Sequence, residues 1–233
     1  MDFSTRSYQT ELLDDPKVPA DDIVQNMKEL DFINTFLGGH AVTLSGFRNL
    51  LTGQREITVC EIGCGGADNL MALRKWTLSH GISARFIGID INPHCLEVAR
   101  RRFPTDCGEF ILSDYQQVDF GDQKPDLLFS SLFCHHFTQE QLLIMLQWMR
   151  DNSTIGFFIN DLHRHPFAYY SIRALTGLFS RSYLVKNDAP LSVLRGFTKK
   201  EWDGLLQDSG IRHYCLQWKW AFRWLITVKH IDV

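Results

Sequence analysis

The chain has 233 residues, of which 45% are hydrophobic and 22% charged, with a formal net charge of −3. This length and composition are ordinary for one globular domain, alone or with a cap. The balance of 24 basic against 27 acidic residues offers no strong field for nucleic acid or an anionic membrane. We therefore expect no nucleic-acid partner. The sequence also contains no apolar run of 18 residues, so we expect no membrane span.

The first residues and the cysteines bear on location. The start, MDFSTRSYQTELLDD, carries acids and no apolar run, which argues against a signal peptide. The six cysteines, at positions 60, 64, 95, 107, 134 and 215, include no C-x-x-C pair. This pattern is typical of reduced thiols in a cytoplasmic protein.

Residues 1–54 are predicted to form a helical cover. Apolar residues at helical spacing predict a helix over 20–37, which Gly38 and Gly39 end. A second helix is expected over 43–51. The remaining residues, 55–233, are expected to form one catalytic domain.

Strands and helices alternate from residue 57 onward. Helices are expected near 68–80, from Asn92-Pro93 and over 139–150. Because the strands are apolar on both faces, they predict a covered parallel sheet in a doubly wound, Rossmann-like α/β domain. The last two strands are close enough for an antiparallel hairpin, so the last of seven strands runs against the others. The strands lie in ITVCEI, RFIGIDI, EFILSD, PDLLFSS, TIGFFIND, RHYCLQWKW and RWLITVKHI.

Residues 162–197 interrupt this alternation. The segment is too long and too apolar for a simple connection. It predicts a helical insertion after strand five that lies over the edge of the sheet as a lid. Thr198 and Glu201 then fit a capping box that opens another helix.

The stretch VCEIGCGGADNL predicts a buried strand, a glycine turn and a helix. A dinucleotide site needs a third glycine where this chain has Asp68, whose charge would repel a pyrophosphate. A P-loop would end in G-K-[ST], and an iron–sulfur cluster would need a further cysteine where Ala67 stands. From Glu61 to Asp68 there is no Lys or Arg, which favours a ligand without phosphate. A nicotinamide oxidoreductase stays open as an alternative.

Four motifs in order resemble those of the class I methyltransferases. EIGCGGA resembles their E-x-G-x-G-x-G turn, with Ala67 in place of the last glycine. FIGIDINPHCLEVAR supplies Asp90 at the end of strand two, and LSDYQQ supplies Asp114. PDLLFSSLFCHHF resembles the motif on strand four. The resemblance covers about residues 55–230.

The resemblance implies S-adenosyl-L-methionine as cofactor and methyl transfer as the reaction. Asp90 would then bind the ribose hydroxyls and Asp114 the adenine amine. A finer resemblance, to bacterial methyltransferases of polyketide, alkylpyrone or resorcinol-type pathways, implies a small acceptor methylated on oxygen or, as second choice, carbon. The predicted cofactor-binding residues are Glu61, Gly63, Cys64, Gly65, Asp90, Ile91, Asp114, Tyr115 and Ser131.

A neutral histidine suits removal of the acceptor's proton, because its pKa lies near working pH. His136 is the first candidate, followed by His163 and His135, all close after a strand end at the sheet's carboxyl edge. Asp161 is placed to orient an imidazole. The histidine pairs could suggest a metal, but no nearby Asp or Glu appears from the spacing, so no metal is predicted. Each histidine has a structural alternative as a helix cap.

The insertion is expected to supply the acceptor pocket, although plain core packing is the alternative reading of its apolar stripes. A non-catalytic binding or scaffold protein with the same fold is a second hypothesis for the whole chain. The sequence leaves the oligomeric state open. The candidate substrate-binding residues are His165, Arg164, Tyr169, Tyr170 and Arg173.

Overall fold

The computed structural model describes residues 1–15, 17–104 and 106–230. The helices of this part are α1 (Ala20–Phe36), α2 (Gly39–Leu50), α3 (Asp68–Ser79), α4 (Pro93–Arg102), α5 (Gln139–Asp151), α6 (Pro166–Phe179), α7 (Tyr183–Arg195) and α8 (Lys199–Asp208). The strands are β1 (Glu56–Ile62), β2 (Ser83–Asp90), β3 (Gly108–Leu112), β4 (Leu127–Ser131), β5 (Gly156–Leu162), β6 (Cys215–Lys219) and β7 (Arg223–Lys229). Short 3-10 turns occupy Leu12–Asp14, Tyr115–Gln117 and Cys134–His136.

The strands form one seven-stranded sheet in the order β3-β2-β1-β4-β5-β7-β6. β7 runs antiparallel to β5 and β6, whereas the pairs among β1 to β5 are parallel. This confirms the predicted doubly wound, Rossmann-like sheet with an antiparallel last strand. The chain order reverses between β1 and β4, and ligands of such sheets bind beyond the strand ends at that point.

Helices cover both faces of the sheet. On one face the core includes Leu142 of α5 and Trp202 of α8, packed against β1, β4 and β5. On the other face it includes Phe47 of α2, Leu70 of α3 and Leu96 of α4. Burial on both faces explains why the strands are apolar throughout rather than alternating.

The capping box predicted at Thr198 and Glu201 is confirmed at the start of α8. The predicted start of the second helix at residue 43 is wrong, because α2 begins at Gly39. Of the two adjacent glycines, only Gly38 adopts the left-handed conformation, with φ of 75°, and Gly39 is already helical. One left-handed residue is enough to turn the chain between the two helices. The amide of Val42 already donates to the Gly38 carbonyl at 3.0 Å.

The predicted insertion consists of α6 and α7, which pack against each other. α7 also contacts α1 and the 3-10 turns at Leu12–Asp14 and Cys134–His136. The insertion and the N-terminal segment therefore meet over the carboxyl edge of the parallel strands. In the part of the chain that the structure describes, no helix is long and apolar enough to cross a membrane.

Candidate active site

A cavity of about 970 Å³ lies at the carboxyl edge of the sheet, beneath α1, α6 and α7. His135 and His136 line it, whereas His163 is not among the lining residues. Residues at the carboxyl ends of β1, β2, β3 and β4 thus line the same cavity. All nine predicted cofactor-binding residues line this cavity, namely Glu61, Gly63, Cys64, Gly65, Asp90, Ile91, Asp114, Tyr115 and Ser131.

The glycine turn has a backbone that only glycine adopts readily. Gly63 has a φ of 66°, and a Cβ at this position would overlap the ring of Phe133. The amides of Gly63 and Cys64 donate to the Ile89 carbonyl at 2.8 and 3.1 Å. The turn is therefore fixed to the end of β2 and leaves its open side to the cavity.

Asp90 connects the turn to the helix that follows β2. One carboxylate oxygen accepts from the Gly65 amide and the other from the Asn92 amide, both at 2.8 Å. Burial raises the pKa of Asp90, and these backbone hydrogen bonds oppose the rise. Asp114 is exposed and caps the next turn by accepting from the Gln116 amide at 3.0 Å. Both acids line the cavity, and their contacts with a cofactor stay predictions.

Glu61 sits beneath the turn at the end of β1. One oxygen accepts from the Asn69 amide nitrogen at 3.0 Å, and the other has no hydrogen-bond partner within the described residues. Burial raises the pKa of Glu61 well above its usual range, and the charge of Asp68 raises it further. Glu61 is therefore a carboxyl group that retains its proton more readily than an exposed one.

Arg223, the first residue of β7, reaches the same cavity and was missed by the sequence analysis. Its side chain is buried, with 3% of the residue exposed. Nη2 donates to Asn34 Oδ1 at 3.0 Å, while Nε and Nη1 have no hydrogen-bond partner among the described residues. Burial lowers the pKa of Arg223 to about 10, which still leaves the guanidinium charged at neutral pH.

Asn34 links Arg223 to an acid on the other side. Its amide nitrogen donates to Asp68 Oδ2 at 3.1 Å, and His40 Nε2 lies 2.8 Å from the same oxygen. Burial alone would raise the pKa of Asp68, but the hydrogen bond and charge of His40 outweigh it and lower the pKa. The Arg223–Asn34–Asp68 row thus presents a cation, an amide and an anion to the cavity.

His135 is buried between two carboxylates. Its Nδ1 lies 2.8 Å from Asp161 Oδ1 and its Nε2 lies 3.6 Å from Glu11 Oε1. Burial would lower the pKa of His135, but the charge and hydrogen bond of Asp161 and the interaction with Glu11 raise it to about 9. An imidazole that is already protonated at neutral pH is a poor general base.

His136 has a different environment. Its Nε2 lies 3.7 Å from Glu11 Oε2 and its Nδ1 lies 3.6 Å from Asp14 Oδ1, while the side chain stays partly exposed. Burial would raise the pKa of Glu11, but its interactions with His135 and the charge of His136 lower it to about 2. An ionised carboxylate therefore faces an accessible imidazole at the cavity wall.

The acid that the sequence spacing did not show is Glu11, which the N-terminal segment brings to the histidine pair. Glu11, His135 and His136 offer ligand-type atoms within 4.8 Å of one another. Glu11 is more than 120 residues from the histidines in sequence, so no spacing within a motif could indicate it, whereas Asp161, which was predicted to orient an imidazole, lies 2.8 Å from His135 Nδ1. The prediction that the protein uses no metal stays a prediction.

Comparison with known proteins identifies the central part of the chain. Residues 59–155 match the family model described as a methyltransferase domain. No curated protein sequence matches the chain.

The chain contains a segment similar to a methyltransferase domain.

Solved structures with this fold have low sequence identity to the chain. The plantazolicin methyltransferase BpumL in complex with SAH is 18% identical, with a TM-score of 0.65 over 89% of this chain and 76% of that one. Magnesium protoporphyrin IX methyltransferase from Synechocystis PCC 6803 with bound SAH is 15% identical, with a TM-score of 0.52 over 93% and 90%. Human N-acetylserotonin methyltransferase in complex with SAM is 16% identical, with a TM-score of 0.62 over 91% and 56%. These likenesses show the methyltransferase fold.

None of the five residues predicted to bind the acceptor lines the cavity. Arg164 is buried and donates to the carbonyls of Phe3 and Gly196 at 2.9 and 2.6 Å, and it pairs with Glu201 at 2.8 Å. These contacts tie the start of α6 to the N-terminal segment and to α8. The structure therefore places Arg164 in a structural role rather than in the acceptor pocket.

The two histidines that flank Arg164 have other partners. His163 accepts a hydrogen bond from Trp218 Nε1 at 3.2 Å. Burial, followed by the charges of His165 and Arg164, lowers the pKa of His163 to about 4. His165 caps α6 by accepting from the Phe167 amide at 3.1 Å. Neither position supports a contact with the acceptor.

The candidate residues Tyr169, Tyr170 and Arg173 of α6 do not line the cavity, although their helix does. Tyr169 is buried against Leu191 and Leu194 of α7, and Tyr170 and Arg173 are exposed. The rotation of a helix about its axis depends on tertiary packing, which the sequence pattern of an apolar helix leaves open. The α6 residues that line the cavity are Phe167, Ala168, Ser171, Ile172 and Leu175.

Proposed function

We propose that this protein transfers a methyl group from S-adenosyl-L-methionine to an oxygen of a small apolar acceptor. The cofactor has an α-ammonium, an α-carboxylate and a sulfonium, and it has no phosphate. Its binding site should therefore supply one cation, one anion and backbone groups, rather than a cluster of lysines and arginines.

The Arg223–Asn34–Asp68 row is the observation that carries this proposal. The unpaired Nε and Nη1 of Arg223 suit a carboxylate, and the ionised Asp68 suits an ammonium. Asp68 is the first residue of α3, directly after the glycine turn. The row therefore matches the zwitterionic end of the cofactor, whereas a dinucleotide would bring its pyrophosphate against Asp68.

With the amino-acid end at this row, the positions of the ribose and the adenine follow. We place the ribose at Asp90 and the adenine beside Asp114 and Tyr115, where the cavity continues along the sheet edge. The N-terminal residues 1–54 act as the cover, since Glu11 and Asn34 reach the cavity from it.

The acceptor half of the cavity is apolar. Such a wall favours an aromatic or polyketide-type molecule over a charged one, and His136 at its polar end is the proposed base. We favour oxygen over carbon because an ordinary histidine can remove a hydroxyl proton. We also propose a cytoplasmic location, in keeping with six free thiols. The apolar lining residues include Ile23, Met27, Leu30, Ile33, Phe133, Ile172 and Val193.

The proposal is tested by titrating two ligands that differ in the amino-acid end. S-Adenosylhomocysteine has the zwitterion, and 5′-methylthioadenosine has the same nucleoside without it. We expect Arg223→Met to weaken binding of S-adenosylhomocysteine about 30- to 1000-fold, as for loss of a buried charged partner. Its affinity for 5′-methylthioadenosine should change less than about twofold. Arg212→Met, at an exposed arginine, is the matched control.

Failure to bind either ligand by the unaltered protein would refute the cofactor assignment. If Arg223→Met lost affinity equally for both ligands, the cofactor assignment would stand, but the Arg223–Asn34–Asp68 row would not be the part of the site that binds the amino-acid end. Transfer of labelled methyl from S-adenosyl-L-methionine to a panel of phenols and pyrones then separates an enzyme from a binding or scaffold protein.

A further inference from the structure

Two imidazole rings converge on one carboxylate at the cavity wall. His135 Nε2 lies 3.6 Å from Glu11 Oε1, and His136 Nε2 lies 3.7 Å from Glu11 Oε2. All three residues line the cavity, and the side chains of Glu11 and His135 are almost wholly buried. We name these residues the Glu11–His135–His136 cluster. Imidazole nitrogens and carboxylate oxygens are donors that bind zinc in proteins.

The other nitrogen of each ring faces a further carboxylate. His135 Nδ1 lies 2.8 Å from Asp161 Oδ1, and His136 Nδ1 lies 3.6 Å from Asp14 Oδ1. Histidines that bind a metal usually direct the nitrogen away from the ion toward a carboxylate, a carbonyl or water, which fixes the orientation of the ring. Both rings are therefore arranged with Nε2 as the nitrogen that is free to bind an ion.

The third ligand is also held in place. Ser192 Oγ, on α7, donates to Glu11 Oε1 at 2.7 Å. Carboxylates that bind a metal are themselves usually hydrogen-bonded. Every member of the cluster thus has an outer contact of the kind that orients a metal ligand.

The charge around the cluster is negative. The described residues beside it include four carboxylates and two guanidiniums. The guanidiniums of Arg6 and Arg195 donate to backbone carbonyls of residues 9, 135–137 and 195, not to Glu11. A bound dication therefore meets more negative than positive charge. The four carboxylates are those of Glu11, Asp14, Asp161 and Asp188.

The spacing of the donor atoms favours zinc over magnesium and calcium. A tetrahedral zinc with bonds of about 2.0–2.1 Å holds neighbouring ligand atoms roughly 3.4 Å apart. The two N–O separations of 3.6 and 3.7 Å are slightly wider, so a small inward movement of Glu11 brings its oxygens to bonding distance. An octahedral magnesium would need separations of about 3.0 Å, and magnesium and calcium both prefer oxygen ligands to nitrogen.

We propose that the Glu11–His135–His136 cluster binds zinc(II) and that bound zinc inhibits the protein. The ion takes Nε2 of both rings and an oxygen of Glu11, and water from the cavity occupies the fourth position. Only a neutral imidazole is a ligand, so any proton on these nitrogens is released to solvent as the ion binds.

Inhibition follows because zinc and the acceptor's proton compete for one lone pair. A neutral imidazole has a single nitrogen that can accept a proton, and in His136 the ion would occupy it. Zinc is thus an inhibitor and takes no part in the proposed methyl transfer. The inhibition rests on the proposed function, whereas zinc binding does not depend on it.

A second group of possible ligands, Asp31, His40 and Asp68, fits zinc less well. It offers a single histidine, and His40 Nε2 already lies 2.8 Å from Asp68 Oδ2. Asp68 also accepts from Asn34, and Asp31 lies 3.5 Å from the guanidinium of Arg102. The carboxylates of this group therefore have other partners, so we place the ion at the Glu11–His135–His136 cluster.

Calorimetric titration of the metal-free protein with zinc chloride tests the binding. We expect one zinc per chain at low-micromolar concentration and no binding of magnesium. His136→Ala should weaken zinc binding by more than about 100-fold, since loss of an outer contact alone costs roughly 10- to 100-fold. Asp14→Asn, which removes such an outer contact, should cost about 10-fold. Asp15→Asn and His80→Ala, both at exposed positions, are the matched controls and should bind zinc like the unaltered protein.

Thermal unfolding gives a readout that needs no enzyme activity. Zinc should raise the melting temperature of the unaltered protein, because a ligand of the folded chain stabilises it. It should not raise that of His136→Ala. Glu11→Gln removes the carboxylate ligand and is the second variant, for use if His136→Ala does not fold. Circular dichroism checks the fold of each variant.

Methyl transfer with and without zinc tests the inhibition. We expect zinc to stop transfer by the unaltered protein and a chelator to restore it. Each variant is compared with its own rate in the absence of zinc, and Glu11→Gln should be inhibited only at much higher zinc concentrations. Zinc that binds at the cluster without slowing transfer would overturn the inhibition.

Three results would overturn the zinc site. The first is an unaltered protein that binds no zinc at low-micromolar concentration. The second is zinc binding by His136→Ala and Glu11→Gln that equals that of the unaltered protein. The third is loss of binding in His40→Gln, or in Cys215→Ser at the exposed thiol, which would move the ion elsewhere. None of these results bears on the cofactor titration, so the two proposals fail separately.

Discussion

At the scale of single residues, the two neighbouring histidines differ in their contacts and their exposure. His135 lies between Asp161 and Glu11, which raise its pKa to about 9 and keep it charged at neutral pH. His136 lies on the cavity side of Glu11 and remains partly exposed. The exposure of His136, in contrast to the burial of His135, favours His136 for proton removal and leaves His135 to hold Glu11.

We expect His136→Ala to lower kcat by roughly 10²- to 10⁴-fold, the usual loss for a general base. The affinity for S-adenosylhomocysteine should stay within about twofold, because the proposed cofactor contacts are elsewhere. Single-turnover methyl transfer and calorimetry measure the two quantities. His80→Ala, at an exposed histidine after α3, is the control. Unchanged turnover in His136→Ala would remove the residue from the reaction.

At the scale of elements, Arg164 joins three parts of the chain that are distant in sequence. Its guanidinium donates to backbone carbonyls of residues 3, 4 and 196 and pairs with Glu201, the capping-box acid of α8. The start of the lid helix is therefore fixed to the N-terminal segment and to α8. Buried carbonyls without this partner would keep the cost of their lost hydration.

Arg164→Met should lower the free energy of unfolding by about 1–3 kcal/mol, because it leaves buried acceptors unpaired. Urea unfolding measures this change. The KM for an acceptor and the affinity for S-adenosylhomocysteine should be unaffected. Arg173→Met, at an exposed arginine on the same helix, should leave stability nearly unchanged. A large rise in KM for Arg164→Met would instead restore the acceptor contact predicted from sequence.

At the scale of the whole molecule, buried charges hold the N-terminal segment to the sheet edge. Arg6 donates to the carbonyls of His135, Phe137 and Arg195 at 2.9–3.2 Å. Asp188 accepts from the amides at positions 12 and 13 at 2.8 and 3.0 Å. These hydrogen bonds and the pairing of Glu11 with His135 hold the segment over the cavity, and the pairing depends on the protonation of His135.

Stability should fall as the pH rises from about 6.5 to 9. The pKa of folded His135, about 9, exceeds that of an unfolded histidine, about 6.5. Its contribution is therefore complete below pH 6.5 and is lost as the pH rises through 9. The slope should approach 1.4 kcal/mol per pH unit, for a total of the order of 3 kcal/mol.

Urea unfolding between pH 6 and 10 measures this slope. The buried thiols, whose pKa values burial raises, act in the same direction above about pH 8. The difference between the unaltered protein and His135→Asn isolates the histidine. A variant that keeps the full slope would show that His135 is not the group responsible.

The order of the elements could be predicted because each depends on a local pattern. Apolar runs, the glycine turn and the capping pair Thr198/Glu201 are all read within a few residues. The nine motif residues converge on the cavity for the same reason, since strand ends of a parallel sheet meet at one edge. Glu11 and Arg223 could not be found in this way, because each is brought to the site by long-range packing.

One signal for Arg223 was present in the sequence. A charged residue directly before the apolar run WLITV is unusual at the start of a buried strand, where an unpaired cation is costly. The placement of Arg164 in the acceptor pocket had the opposite origin. Its positive charge could meet an acidic oxygen of an acceptor, whereas packing turns the side chain toward backbone carbonyls.

Because β7 runs antiparallel to β5, its first residue, Arg223, lies opposite Leu162 at the carboxyl edge of the parallel strands. A parallel strand in this place would put its first residue at the other edge, far from the glycine turn. The cation proposed to bind the carboxylate of the cofactor is therefore about 160 residues from Gly63 in sequence. Since domains generally fold as units, we expect a chain truncated before the final hairpin to lose both this cation and the strand that covers β5.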